Sequence, residues 1–191
     1  MPFLHAADPR IAPVEDPGAE VSALLARTRN DGSGVPMSIF RTMARHPQLL
    51  EGYNVLADFF RAGRELSVRD RELVILRTAW RTGCEYEWTH HVRLGAEAGL
   101  SHHEMSSVGR PALAGDWPDR DAVLLRATDE ILDEVDLSDA TWAELSAGHT
   151  DAQIIELVML VGFYRMVAGF LNATGVRQEE RQSDDRQART A

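Results

Sequence analysis

From residue 19 to residue 172 the apolar positions recur at three- and four-residue spacing, and no stretch alternates for long in the manner of a half-buried strand. The pattern predicts an all-α chain. A first helix is expected over 19–29, stopped by Asn30-Asp31-Gly32. Pro36 opens a short helix to Arg45, and Pro47 opens another that ends at Gly63. Ser67-x-x-Asp70 reads as a capping start for a helix that stops at Gly83. The next helix covers 84–98 and stops at Gly99, and Ser101-x-x-Glu104 caps a short one. Pro118, Ser138 and Thr150-x-x-Gln153 begin three more, the last running to Asn172 with Gly175 beyond it.

The two ends read differently. Pro2, Pro9, Pro13 and Pro17 make residues 1–18 an extended arm, either loose or wrapped on a neighbouring subunit. Residues 177–191 are almost devoid of apolar side chains and read as a frayed polar tail. One helical domain over 19–176 remains. Its last helix, IIELVMLVGFYRMVAGFL, is apolar nearly all round and long enough to span a bilayer. Glu156 and Arg165 inside it argue for a core helix or one buried between subunits instead. Glu72-Leu73-Val74-Ile75-Leu76 is echoed by Glu156-Leu157-Val158-Met159-Leu160, as two related helical halves would produce.

Charge narrows the function classes. Thirty acidic against 20 basic residues give a net charge of −10, which argues against nucleic acid as a partner. All 20 basic residues are Arg, so Schiff-base chemistry and a phosphate-loop lysine are excluded. A single Cys rules out an internal disulfide and fits a reducing, cytoplasmic location. The N-terminus lacks the basic and apolar regions of a secretory leader.

Candidate chemistry concentrates in RELVILRTAWRTGCEYEWTHHVRLGAEAGLS. On a wheel over 68–81, Glu72 shares a face with Val68, Ile75, Leu76 and Ala79, opposite Asp70, Arg77 and Arg81. A carboxylate facing the core needs a donor. Over 84–98, Cys84, Trp88, Gly95 and Ala98 share a face, with Glu87 and His91 one turn apart on the same side. Tyr86, His90, Arg93 and Glu97 fall on the outer side. A buried Glu–His pair has its two pKa values drawn together and suits general acid–base work; the alternative is a structural hydrogen bond. Cys84 begins a helix, which favours thiolate, but a small buried hydrophobe fits equally. Glu72, Glu87 and His91 also make a two-carboxylate, one-histidine set for a divalent metal. Trp88, Tyr164 and Arg165 are candidates for lining a substrate pocket, Arg165 as a clamp for a carboxylate.

The spacing Glu72, eleven residues, Cys84-x-x-Glu87, three residues, His91, followed by Ala96-x-x-Gly99-Leu100-Ser101, resembles the carboxymuconolactone decarboxylase family, which includes the alkylhydroperoxidase D-like proteins. FRTMARHP and GFYRMVAGFLNATGV also look like long members, so the resemblance covers roughly 35–176. It implies an alkylhydroperoxidase D-like helical bundle, oligomeric as a trimer or hexamer, with the motif helix near a subunit interface. The family's peroxidase branch exchanges disulfides between two motif cysteines. Here Glu87 stands at the second cysteine, so that cycle is closed to this chain. The decarboxylase-like branch implies cofactor-independent lyase or isomerase chemistry on a small, anionic, cyclic substrate of the aromatic-catabolism type. His91 would then be the general acid or base, Glu87 would share its proton, Glu72 would orient the pair and Cys84 would line the site. The expected partners are that substrate and other copies of the chain, with no nucleic acid and no membrane. Two other readings stand beside it: a thiol peroxide reductase using Cys84 alone, and a non-catalytic helical oligomer.

Overall fold

A computed structural model describes residues 3, 8–30, 32–62, 65–111 and 117–179. Among them the chain is helical: α1 (Ala19–Leu25), α2 (Ser38–Met43), α3 (Pro47–Ala62), α4 (Val68–Thr82), α5 (Glu85–Glu97), α6 (His102–Ser107), α7 (Asp119–Glu134), α8 (Asp139–Gly148) and α9 (Asp151–Thr174). The one strand-like pairing among the described residues is an isolated bridge between Asn30 and Pro36. The caps read from the sequence form. The side chains of Ser67, Ser101, Ser138 and Thr150 each accept an amide from three residues on, and Ser101 and Thr150 complete reciprocal capping boxes. Helix α1 stops at Leu25, short of the expected 29, where the Thr28 hydroxyl takes the Leu25 carbonyl.

The central helix is α4, packed against α5, α7 and α9. Leu73, Val74, Ile75 and Leu76 are all fully buried, so apolar contact surrounds the helix rather than one face of it. This corrects the wheel, which placed Asp70 and Arg77 outward. Asp70 is fully buried and Arg77 is 3% exposed, whereas Val68, expected inside, is 52% exposed. The reason is α7. Arg69 bonds Asp121, Arg77 bonds Asp129 and Arg81 bonds Asp133, each pair 52 positions apart, so the two helices run parallel with a ladder of ion pairs between them. Arg120 returns to Asp70 at 2.7 Å. Buried charges are tolerated here because each meets an opposite one.

Helix α9 meets the length and composition of a membrane span, but half of its apolar window is buried within the protein. Its inner face (Leu157, Leu160, Val161, Ala168, Leu171) packs into the main core. Its outer face leaves Ile155, Met159 and Met166 more than half exposed, so within one chain it is a flanking helix, not the central one.

Residues 8–18 of the arm lie along their own chain. The Val14 amide bonds the Arg41 carbonyl at 3.0 Å, Arg45 reaches the Ala12 carbonyl at 3.1 Å, and the Arg10 amide caps Thr174 at 2.8 Å. Of the segment read as a frayed tail, residues 177–179 are docked rather than frayed, and 180–191 lie outside the described residues.

Candidate acid–base site

Gly83 sets the geometry of the site. It ends α4 in the left-handed region (φ 63°), the Cys84 amide returns to the Ala79 carbonyl at 2.9 Å, and α5 folds back along α4. That reversal brings Glu72 of α4 beneath His91 of α5, with Glu72 Oε2 and His91 Nδ1 2.6 Å apart. The Glu72 carboxylate is 4% exposed and His91 13%. Arg71, adjacent in sequence, donates to the other Glu72 oxygen at 3.4 Å and to the Phe60 carbonyl at 2.9 Å. Burial alone would push the Glu72 carboxyl up, but the bond and charge of His91, then Arg71, outweigh it and hold the group below its usual value. Glu72 is therefore an anion that keeps His91 with a proton on Nδ1. The ring's Nε2 has no protein partner among the described residues. Tyr164 of α9 meets the imidazole edge-on, with centroids 5.2 Å apart and planes at 89°.

Glu87 departs from expectation. It does not share a proton with His91: the carboxylate partner of the imidazole is Glu72. Both Glu87 oxygens are buried and make no hydrogen bond, and desolvation pushes this carboxyl well above its ordinary pKa. A neighbour one turn away on a wheel is no guarantee of a bond, because the aim of each side chain is set by what packs on it. Burial with no donor in reach thus favours the protonated form of Glu87 over its carboxylate. Tyr53 of α3 and Tyr164 lie within electrostatic range of it, and burial pushes both phenols up.

Cys84 is fully buried. Burial and then the nearby Glu87 push its thiol up to about 12, and the amides of Glu87 and Tyr86, which pull it down, lose. The small buried hydrophobe is the reading that holds; a thiolate is not what this environment favours. The alternative metal set is not assembled: among the described residues no three His, Cys, Asp or Glu side chains come together as a group able to hold an ion. Trp88 stands toward the smaller core of Leu73, Leu76 and Leu100, with Trp80 at 5.5 Å and Phe3 at 5.8 Å as ring neighbours. Arg165 points elsewhere and donates to the Leu132 carbonyl at the end of α7 at 2.9 Å, so it is not brought to the site.

The outer face of α5 is also corrected. Tyr86 is 6% exposed and His90 is half-buried, with Glu179, from the segment after α9, lying against both. Sequence reasoning passed over Arg71, Tyr53 and Glu179. Arg71 sits next to Glu72 in sequence, where wheels predict no contact, and the other two arrive from segments that no local pattern connects to α5.

Comparison with known proteins agrees with this architecture. Residues 47–130 match the model of the carboxymuconolactone decarboxylase family. The chain carries a carboxymuconolactone decarboxylase family domain. Glu72, Cys84, Glu87 and His91 all fall inside that domain, whereas Tyr164 and Glu179 lie beyond it. Its fold is that of the alkylhydroperoxidase D-like proteins. A peroxidase-related protein from Ralstonia eutropha JMP134 with an alkylhydroperoxidase AhpD core has a TM-score of 0.74 at 20% identity, over 91% of this chain and 95% of that one. A peroxidase-related protein from Silicibacter sp. TM1040 has a TM-score of 0.77 at 14% identity, over 92% and 94%. The debrominase Bmp8 has a TM-score of 0.73 at 12% identity, over 91% and 94%. No curated protein matches the chain in sequence. At these identities the likeness is one of fold, and the names of the neighbours span more than one chemistry.

Proposed function

We propose that this chain is a cofactor-independent acid–base enzyme of the lyase or isomerase type, acting as a homo-oligomer (a trimer or hexamer) on a small, anionic, cyclic carbonyl compound. The observation that carries the reading is the 2.6 Å bond from Glu72 to His91 Nδ1, which leaves Nε2 without a partner among the described residues. Glu72 fixes the tautomer, so Nε2 is the basic nitrogen. Glu87, on the same side of α5, has its acid form favoured by burial and would supply the acid. In a decarboxylation, the bond from ring carbon to carboxylate breaks, carbon dioxide leaves and the electron pair moves onto the carbonyl oxygen. The Glu87 acid then donates a hydrogen bond to that oxyanion, and carbon takes up one proton from solvent, relayed through His91 Nε2. In an isomerisation, Nε2 takes the first proton from carbon and gives it back one position along. A neutral carboxylic acid held in an apolar site is a strong donor to such an enolate.

Purified protein is to be incubated with small cyclic keto and lactone acids in deuterated water, with NMR following label uptake at carbon and loss of carbon dioxide. His91→Ala and Glu87→Leu are each expected to lower turnover by about a thousandfold, and Glu72→Gln by about a hundredfold, since general acid–base groups are worth roughly that much. Undiminished exchange in His91→Ala sinks the reading.

A further inference from the structure

The outer face of α5 is held by a residue that lies outside the family domain. Glu179 Oε1 accepts the Ser38 amide at 2.8 Å and the Tyr86 hydroxyl at 2.5 Å, and Oε2 lies 2.9 Å from His90 Nε2. The imidazole contact is an ion-pair approach out of line for a hydrogen bond. One residue earlier, the Gln178 amide group donates to the Glu85 carbonyl at 3.2 Å. The Tyr86 hydroxyl in turn accepts the Ile39 amide at 3.4 Å, so the carboxylate ties the segment after α9 to both α2 and α5. Glu179 is itself only 16% exposed. A carboxylate this sheltered, with two donors on one oxygen and an imidazole on the other, is a built socket rather than a surface pairing.

The consequence follows from helix geometry. Tyr86 and His90 are one turn apart on one side of α5, and each is followed at once by a site residue, Glu87 and His91. Any roll of α5 that moves the first pair moves the second. We infer that Glu179 is a positioning residue: by gripping Tyr86 and His90 it fixes the roll of α5, and with it the aim of His91 at Glu72 and the burial of Cys84 and Glu87. This inference stands whichever reaction the site performs. The C-terminal segment thereby becomes a working part of the site although it contributes no reacting group.

Two readouts test it without a substrate. Cys84 is the chain's single thiol and lies at the first turn of α5, so its alkylation rate reports movement there. The His91 Nδ1 proton, bonded to Glu72, gives an NMR signal that reports the roll directly. In Glu179→Ala we expect alkylation to quicken by about tenfold as the helix opens locally. We also expect the His91 signal to broaden or shift, and added acetate, which can occupy the vacated socket, to reverse both changes. Arg126→Ala, which cuts a tie between α7 and α8 far from α5, is expected to leave both at wild-type values. Glu179→Gln keeps the size of the side chain and is expected to move both readouts in the same direction; it decides the matter should the alanine variant not fold. Wild-type alkylation in the Glu179 variants overturns the inference. So does faster alkylation with an unmoved His91 signal, or an equal effect in Arg126→Ala.

Discussion

Two glutamates pull the acid stability of this protein in opposite directions. Glu179 is held down to about 2, against an ordinary value near 4.5: burial would raise it, but His90, Tyr86 and the Ser38 amide prevail. A carboxyl depressed on folding stabilises the fold above its unfolded pKa, and that stability drains away as pH falls from about 4.5 to about 2. Glu87 has the reverse sign. Its folded pKa is raised, so the unfolded chain ionises first and stability falls as pH rises past about 4.5 toward the folded value. Urea midpoints collected from about pH 3 to about pH 9 check both. Glu87→Gln is expected to flatten the decline on the neutral and alkaline side. Glu179→Gln is expected to flatten the acid limb. A Glu87→Gln profile parallel to wild type shows that the carboxyl ionises as freely inside as outside. The polarity of Glu87 was legible in the sequence, but its protonation was not, since that depends on the absence of any donor within reach.

At the scale of elements, stops and starts follow local chemistry closely, with one instructive exception. Helix α7 ends on Val135, a β-branched residue in the left-handed region (φ 59°) and 80% exposed. No Gly marks this end, so no stop signal of the usual kind is present. Arg165 supplies part of the closure by taking the Leu132 carbonyl. The left-handed conformation costs a branched L-residue roughly 1–2 kcal/mol, more than the added backbone freedom of Gly. Val135→Gly is therefore expected to stabilise the protein by about 1 kcal/mol in denaturant melts; a loss of stability contradicts this. The wheels for α4 and α5 failed for a related reason. A wheel assumes one buried face, but α4 is surrounded by α5, α7 and α9, and α5 is covered from behind by Glu179 of the segment after α9. Polar residues then sit inside on both sides, matched to partners the helix itself does not encode.

Across the whole molecule, two neighbouring helices show apolar faces to solvent. On α9 these are Ile155, Met159 and Met166; on α3 they are Leu49, Val55 and Phe59. The two helices are joined through Phe163, which packs on Tyr53 and Phe60 at 5.4 and 5.1 Å. Several large apolar side chains left open to solvent on adjoining helices are a feature of association surfaces. It supports the proposed homo-oligomer. Sedimentation of the wild type is expected to give a multiple of 21.2 kDa, and Met159→Arg with Met166→Arg is expected to return the single-chain mass. A wild type that sediments as a single chain contradicts the proposal.

Helix number, their caps and the motif from Glu72 to His91 were determined by the sequence, because each rests on residues within a few turns of one another. Only tertiary structure decided which carboxylate binds the histidine, that Glu87 stands alone, that Cys84 is held as a thiol, and that residue 179 reaches residue 90. Each of these turns on side chains brought together from distant positions and on the water excluded between them, and neither quantity is written in local spacing.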